Sequence, residues 1–128
     1  MRRVFRTRTF TRWMKKAGVN DADLWAAALE MSQGLVDADL GGHVMKKRVA
    51  LPVQGKRGGA RTIVATKMAG RWFFLHGFNK NERSNLDKDE LKVLQEVAKE
   101  LLGFDDQQLS IALVAGEIVE VTDGNDKA

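Results

Sequence analysis

The chain has 128 residues, 44% of them hydrophobic, and carries 21 Lys or Arg against 17 Asp or Glu, a net charge of +4. That length suits one domain with one core, and the absence of cysteine excludes a disulfide framework, thiolate metal sites and a thiol nucleophile. No apolar run nears the roughly 18 residues that span a bilayer, and no signal-peptide pattern follows the basic N-terminus, so a cytoplasmic protein without a membrane partner is expected.

Residues 4–8 read as a short strand. Thr9 is placed to cap a helix whose apolar positions Phe10, Trp13, Met14 and Ala17 follow i, i+3, i+4, i+7, and Gly18 fits its stop. Asn20 caps a second helix, with Asp21 and Asp23 favoured by the dipole in its first turn. Leu24, Ala27, Ala28, Met31 and Leu35 form its apolar stripe, and Gly34 lies near its end. Gly41-Gly42 punctuates the entry to the strand Val44–Leu51. There Met45, Lys47, Val49 and Leu51 share one face, and Val44, Lys46, Arg48 and Ala50 the other. The polar, Gly-rich stretch 52–59 reads as an exposed loop with Lys56 and Arg57 at its tip. Residues 61–67 and 72–78 are the next strands, joined by a tight connection. The second of them is apolar on both faces and is expected in the centre of the sheet.

Asp87 and Glu90 make a capping-box pattern at the start of a helix with Leu91, Leu94, Val97, Ala98 and Leu101 on one stripe, ended by Gly103. A further helix begins at Asp105 or Asp106 and runs to about Ala115. Gly116 breaks it, residues 117–121 are extended, and the tail after Thr122 is expected to be disordered. Strand, two helices, three strands, helix and extension predict an α+β fold, with helices packed against one side of a small antiparallel sheet.

Charge is segregated along this order. Residues 1–18 carry seven cations and no acid; residues 19–42 carry five acids and no Lys or Arg. Residues 41–83 hold ten cations against Glu82 alone, and residues 84–128 hold four against eleven acids. Such asymmetry points to a polyanionic partner on one face.

Most enzyme chemistries lack their groups here. The chain has no Tyr, its strands carry no pair of acids, and His43 and His76 are far apart in sequence. Nothing has metal-ligand spacing, so neither a metal nor another cofactor is expected. The run Gly55-Lys56-Arg57-Gly58-Gly59 does not fit a nucleotide-binding P-loop. Phosphate chemistry by cations remains. RNA supplies its own nucleophile: the ribose 2′-OH attacks the adjacent phosphate once a base removes its proton and cations stabilise the phosphorane. A lysine among other cations can be that base, and arginines fork onto phosphate oxygens. Lys46 and Arg48 lie two apart on one strand face and can meet Arg61 on the neighbouring strand. Lys80, Asn81 and Arg83 follow the third strand and can close the pocket.

Blander roles compete with several of these. Lys47 snorkels from the core face, and Lys67 and Arg71 are background. Surface solubility explains Lys56 and Arg57 about as well as contact with RNA. A structural role for His76 outweighs proton donation, and sheet packing of Trp72 outweighs base stacking. Arg2, Arg3, Arg6, Arg8 and Arg12 either solvate the first strand and helix or add affinity for RNA. Asn81 and Glu82 can cap a turn.

The stretch VMKKRVALPVQGKRGGARTIV, the segment FFLHGFNKNERSNLDKDEL and the element order together resemble toxins of the RelE/HigB type from bacterial type II toxin–antitoxin systems, over roughly residues 2–102. The resemblance implies a RelE/ParE-like fold, with residues 1–102 as the toxin domain and 103–128 as an extension packed on it with a disordered tail. It further implies metal-independent cleavage of mRNA in the ribosomal A site, so that mRNA and ribosomal RNA are partners. A cognate antitoxin, expected to be a helix-turn-helix protein, is implied as inhibitor, with operator DNA reached only through it. Lys46, Arg48, Arg61 and Lys80 fall at the family's catalytic cations, with Lys46 the better base and Lys80 the second. Lys56, Arg57, Asn81 and Arg83 are the implied RNA-binding residues. Three positions depart from the pattern. Arg48 stands for a second lysine, Asn81 stands where an arginine is usual, with Arg83 as its replacement, and Asp87 stands where some members stack an aromatic on a base. A ParE-like toxin directed at DNA gyrase and a non-catalytic RNA-binding module are the alternative readings.

Overall fold

The computed structural model describes residues 2–51, 55–68, 70–83 and 85–122. Ten elements follow in chain order: β1 (Arg3–Thr7), α1 (Arg8–Ala17), α2 (Asp21–Ser32), β2 (Ala38–Gly41), β3 (Val44–Leu51), β4 (Gly55–Lys67), β5 (Arg71–Asn79), α3 (Lys88–Leu102), α4 (Asp106–Val114) and β6 (Ile118–Val121). The strands form one six-stranded sheet in the order β2-β3-β4-β5-β1-β6. All pairings are antiparallel except β1 with β5. The fold is therefore α+β with a mixed, mostly antiparallel sheet.

The expectation of helices on one side of the sheet is corrected: both faces are covered. On one face Val4, Val49, Leu51, Val64, Trp72 and Phe74 pack with Phe10 and Met14 of α1 and Leu24, Ala28 and Met31 of α2. On the other, Phe5, Val44, Ile63, Phe73 and Phe78 pack with Ala98 and Leu101 of α3 and Leu109 and Ala112 of α4. The physical reason is the apolarity of β5 on both sides, since a central strand leaves neither face to water. Phe5 and Phe73 stack at 5.0 Å between ring centroids, across the parallel pair.

Local chemistry sets the boundaries. Thr7, not Thr9, caps α1: strand pairing with Ile118 holds Thr7 extended, and its hydroxyl accepts from the Phe10 N–H at 3.1 Å. Capping boxes start α2 (Asn20 with Asp23), α3 (Asp87 with Glu90) and α4 (Asp105 with Gln108). Leu35 leaves the expected stripe because α2 ends at Ser32 and the chain turns at Gly34 (φ 90°), so Leu35 is exposed. β2, absent from the sequence reading, pairs with β3 through a two-residue turn at Gly42 and His43, whose φ values of 63° and 65° are those of a type I′ hairpin. Gln95 of α3 clasps that hairpin, donating to the carbonyls of Leu40 and Gly41.

The loop expected over residues 52–59 is also corrected. Residues 55–59 belong to β4, where Leu51 pairs with Gly55. Residues 52–54 and the tail from residue 123 lie outside the described residues, as do the side chains of Lys56 and Arg57. β6 joins the edge formed by β1. β6 lies three strands from β4, so the extension adds to the sheet remote from the basic strands.

Candidate nucleic-acid interface

Strand register places the predicted cations. Lys46 lies opposite Ile63, which lies opposite His76; Arg48 lies opposite Arg61, which lies opposite Phe78. These two rows run side by side across β3, β4 and β5. They share the face of Val44 and Ile63, the face that α3 covers further along. A bulge in β5 brings His76 to this face. Ile63 pairs with His76 but Val64 pairs with Phe74, leaving Leu75 as the extra residue. Leu75 and His76 consequently both point toward α3, and Gly77 faces α1. Strict alternation would send His76 to the opposite side.

Two like charges directly opposite on neighbouring strands repel, and the chain places an acid beside them. Asp37, just before β2, has its Oδ2 at 3.9 Å from Arg48 Nε and 3.8 Å from Arg61 Nε. Its backbone N–H donates to the Lys46 carbonyl at 2.9 Å, which fixes it against β3. The Arg61 side chain is only 13% exposed, and its Nη1 is buried with no hydrogen-bond partner among the described residues. The sequence reading missed Asp37, because missing β2 left this acid without an address. Gly41-Gly42 was the available signal, since a glycine pair between alternating segments marks a hairpin.

A second cluster lies at the N-terminus of α3. Arg83 donates to both carboxylate oxygens of Glu90, from Nη1 at 2.8 Å and from Nη2 in a shorter contact, and from Nε to the Asn85 carbonyl at 3.0 Å. Its guanidinium lies 5.6 Å from the Phe78 ring centroid. Glu90 also accepts from the Asp87 N–H at 3.0 Å. These hydrogen bonds, from Arg83 first and the Asp87 backbone second, hold the Glu90 carboxyl down at about 2. Beside them, His76, Asp89, Glu90, Val93 and Leu94 line a cavity of about 350 Å³. Burial pushes the His76 imidazole below its ordinary value, with Glu90 opposing and Arg83 adding to the shift.

The structure thus brings Lys46, Arg48 and Arg61 together. Lys80 and Asn81 are exposed on the turn that follows β5, and the Lys80 N–H donates to the Gly59 carbonyl at 3.2 Å. That bond places the turn two residue pairs beyond Arg61–Phe78, past Ala60–Asn79. Arg83 is bound into a carboxylate clamp instead of standing free at the pocket mouth. Lys47 does not snorkel: its side chain is 9% exposed, pairs with Glu30 at 2.7 Å and donates to the Leu35 carbonyl at 3.0 Å. Trp72 packs in the core at 2% exposure.

Other basic residues hold the fold together. Arg71 bonds Phe104 and Asp106 at the α3–α4 junction. Arg3 pairs with Glu120, Arg6 with Asp21 and Thr11, and Arg8 donates to the carbonyls of Ala115 and Gly116. Among the described residues there is no group of three or more His, Asp or Glu able to hold a metal ion, and no helix is long and apolar enough to cross a membrane.

The family model described as the RelE toxin of the RelE/RelB toxin–antitoxin system matches residues 2–121. The chain belongs to the RelE toxin family. The match takes in every strand of the sheet, β6 included. Comparison with curated proteins finds no match. As a RelE-type toxin, the chain is the toxic half of a toxin–antitoxin pair.

Proposed function

We propose that this RelE-type toxin is a ribosome-dependent mRNA endoribonuclease that works without metal. The observation that carries the reading is the cross-strand pair of Arg48 and Arg61, with a sheltered Arg61 guanidinium whose Nη1 is unpartnered. A buried donor without an acceptor is costly to a fold and is satisfied by an incoming phosphate oxygen. Lys46, one row away, takes the proton of the 2′-OH. The O2′–P bond forms as the P–O5′ bond breaks, Arg48 and Arg61 hold the charge of the phosphorane, and Lys80 gives a proton to the departing 5′ oxygen. The products are a 2′,3′-cyclic phosphate and a 5′-hydroxyl. Lys56 and Arg57 grip ribosomal RNA at the A site, and Asn81 contacts RNA from the exposed turn. Residues 1–102 carry this activity, with 103–128 as a C-terminal extension. The antitoxin, a helix-turn-helix protein in this reading, inhibits by covering the cations and alone contacts operator DNA.

Mapping mRNA 3′ ends after brief induction in a bacterial host tests the proposal. Cuts within reading frames are expected, and Arg61→Ala is expected to reduce them roughly 10²–10³-fold, as for the loss of one transition-state donor. Intact transcripts with collapsed DNA supercoiling would instead identify a gyrase poison. RNA bound but never cut would identify a binding module.

A further inference from the structure

Asp37 stands where a cation-lined phosphate site should exclude an acid. Its backbone is anchored to Lys46, and its side chain reaches over the adjacent row. The contacts to both Nε atoms, at 3.9 and 3.8 Å, are too long for hydrogen bonds. A carboxylate whose task is to orient arginines would be hydrogen-bonded to them, as Glu90 is to Arg83 and Glu120 to Arg3. Asp37 instead leaves Arg61 Nη1 unused while supplying one negative charge midway between two guanidinium groups.

We propose that Asp37 is an internal stand-in for phosphate: its carboxylate occupies the phosphodiester subsite between Arg48 and Arg61 in the free toxin and is displaced by RNA. The inference rests on the reading of this face as RNA-binding and adds which subsite takes a phosphate and what guards it. In the free protein the carboxylate offsets the repulsion within the arginine pair. When RNA arrives, a phosphate oxygen that accepts short, charge-assisted hydrogen bonds replaces a carboxylate that makes none. Asp37 therefore lowers affinity for any single-stranded polyanion and leaves only well-seated phosphates bound, which makes it a specificity-determining residue.

Fluorescence anisotropy of the full-length chain with a mixed-sequence, single-stranded 2′-O-methyl oligoribonucleotide, whose blocked nucleophile prevents cleavage, tests this. Asp37→Asn is expected to bind about fivefold more tightly than the native chain at low salt, and the gain is expected to shrink as salt screens it. In an Arg61→Ala background the gain should vanish, because the subsite is gone. If Asp37→Asn binds equally or more weakly while Arg61→Ala still weakens binding, the stand-in is refuted and the RNA-binding reading survives. If Arg61→Ala leaves binding unchanged, the RNA-binding reading itself fails and takes the stand-in with it. A measurement on the native chain covers the case in which Asp37→Asn does not fold. Titration with inorganic phosphate, followed by NMR, is expected to move the Nε–H resonances of Arg48 and Arg61 together with the Asp37 carboxyl carbon. A silent Asp37 carboxyl beside a shifting Arg61 overturns the proposal.

Discussion

Gly77 lets α1 pack closely on the backbone of β5, and Gly77→Ala is the sharpest perturbation. A Cβ there would lie 2.4 Å from Trp13 Cε3, 2.5 Å from Cζ3 and 2.7 Å from Cδ2. Ordinary carbon contacts are about 3.5–4.0 Å, so more than an ångström must open between α1 and β5. The clashing atoms belong to a rigid indole that also packs on Phe10 at 5.3 Å, so no flexible chain end can yield. Overpacking of a close contact costs about 1–3 kcal/mol, and a clash this deep belongs at the upper end. For a chain of this size about 3 kcal/mol lowers Tm by roughly 12 °C. Thermal denaturation of the purified chain by far-UV circular dichroism measures it. Trp13→Leu in the same chain removes the opposing ring and should recover part of the loss, a coupling of about 1–2 kcal/mol in a double-mutant cycle. A Tm within about one degree of the native chain, or strict additivity of the two substitutions, would refute the packing argument.

Lys47→Ala should destabilise by about 2 kcal/mol, since it removes a packed side chain and the donor to the Leu35 carbonyl; because Lys47 faces α2, mRNA cleavage at equal folded concentration should be unchanged, and a loss of cleavage would put Lys47 in the site. Glu90 has a folded carboxyl pulled from 4.5 to about 2, so the stability it contributes is present above the unfolded value and is lost as pH falls from about 4.5 toward 2. Glu90→Gln should flatten acid unfolding in that window, and an unchanged acid limb would deny the clamp with Arg83. The same substitution removes the charge that raises the His76 imidazole, so the His76 NMR titration midpoint, below 6.5 in the native chain, should fall further; a rise would contradict the arrangement.

Elements whose signal is local were legible in the sequence. The Asn20 cap, the Asp87 capping box, the Gly18 stop and the two-faced apolarity of residues 72–78 each act within a few residues, and each appears where it was read. Parity placed Lys46 and Arg48 on one face correctly, because β3 pairs without interruption from Val44 to Val49. Parity could not place His76, because the Leu75 bulge arises from the pairing of β4 with β5 and not from β5 alone. Nor could it place Arg83, whose partner is seven residues away on a helix that turns back over the sheet. Asp37 was hidden for the same reason, since its ion-pair partners lie eleven and twenty-four residues downstream and meet only when β2 closes on β3 and β3 on β4.

The count of cations overstates the surface that an RNA would feel. Of the ten in residues 41–83, the structure binds Lys47 to Glu30, Arg71 to Asp106 and Arg83 to Glu90. The N-terminal run is likewise drawn inward, with Arg3, Arg6 and Arg8 tying β1 and the start of α1 to β6, α2 and the end of α4. Charges neutralised in this way contribute little to a distant phosphate. Among the described residues Lys46 and Lys80 make no ion pair, and Arg48 and Arg61 share one carboxylate that hydrogen-bonds to neither. Around the Arg48–Arg61 pair the field is compact, carried among the described side chains by Lys46, the two arginines and Lys80 on the turn after β5, while Lys67 sits at the other end of β4. Such a patch suits the grip of a single phosphodiester more than tracking along a strand, which requires a run of several unpaired cations. Selection of one phosphate is what a cleavage reaction needs, and an acid between the two arginines sharpens that selection by leaving only a phosphate that can use both forks able to take its place.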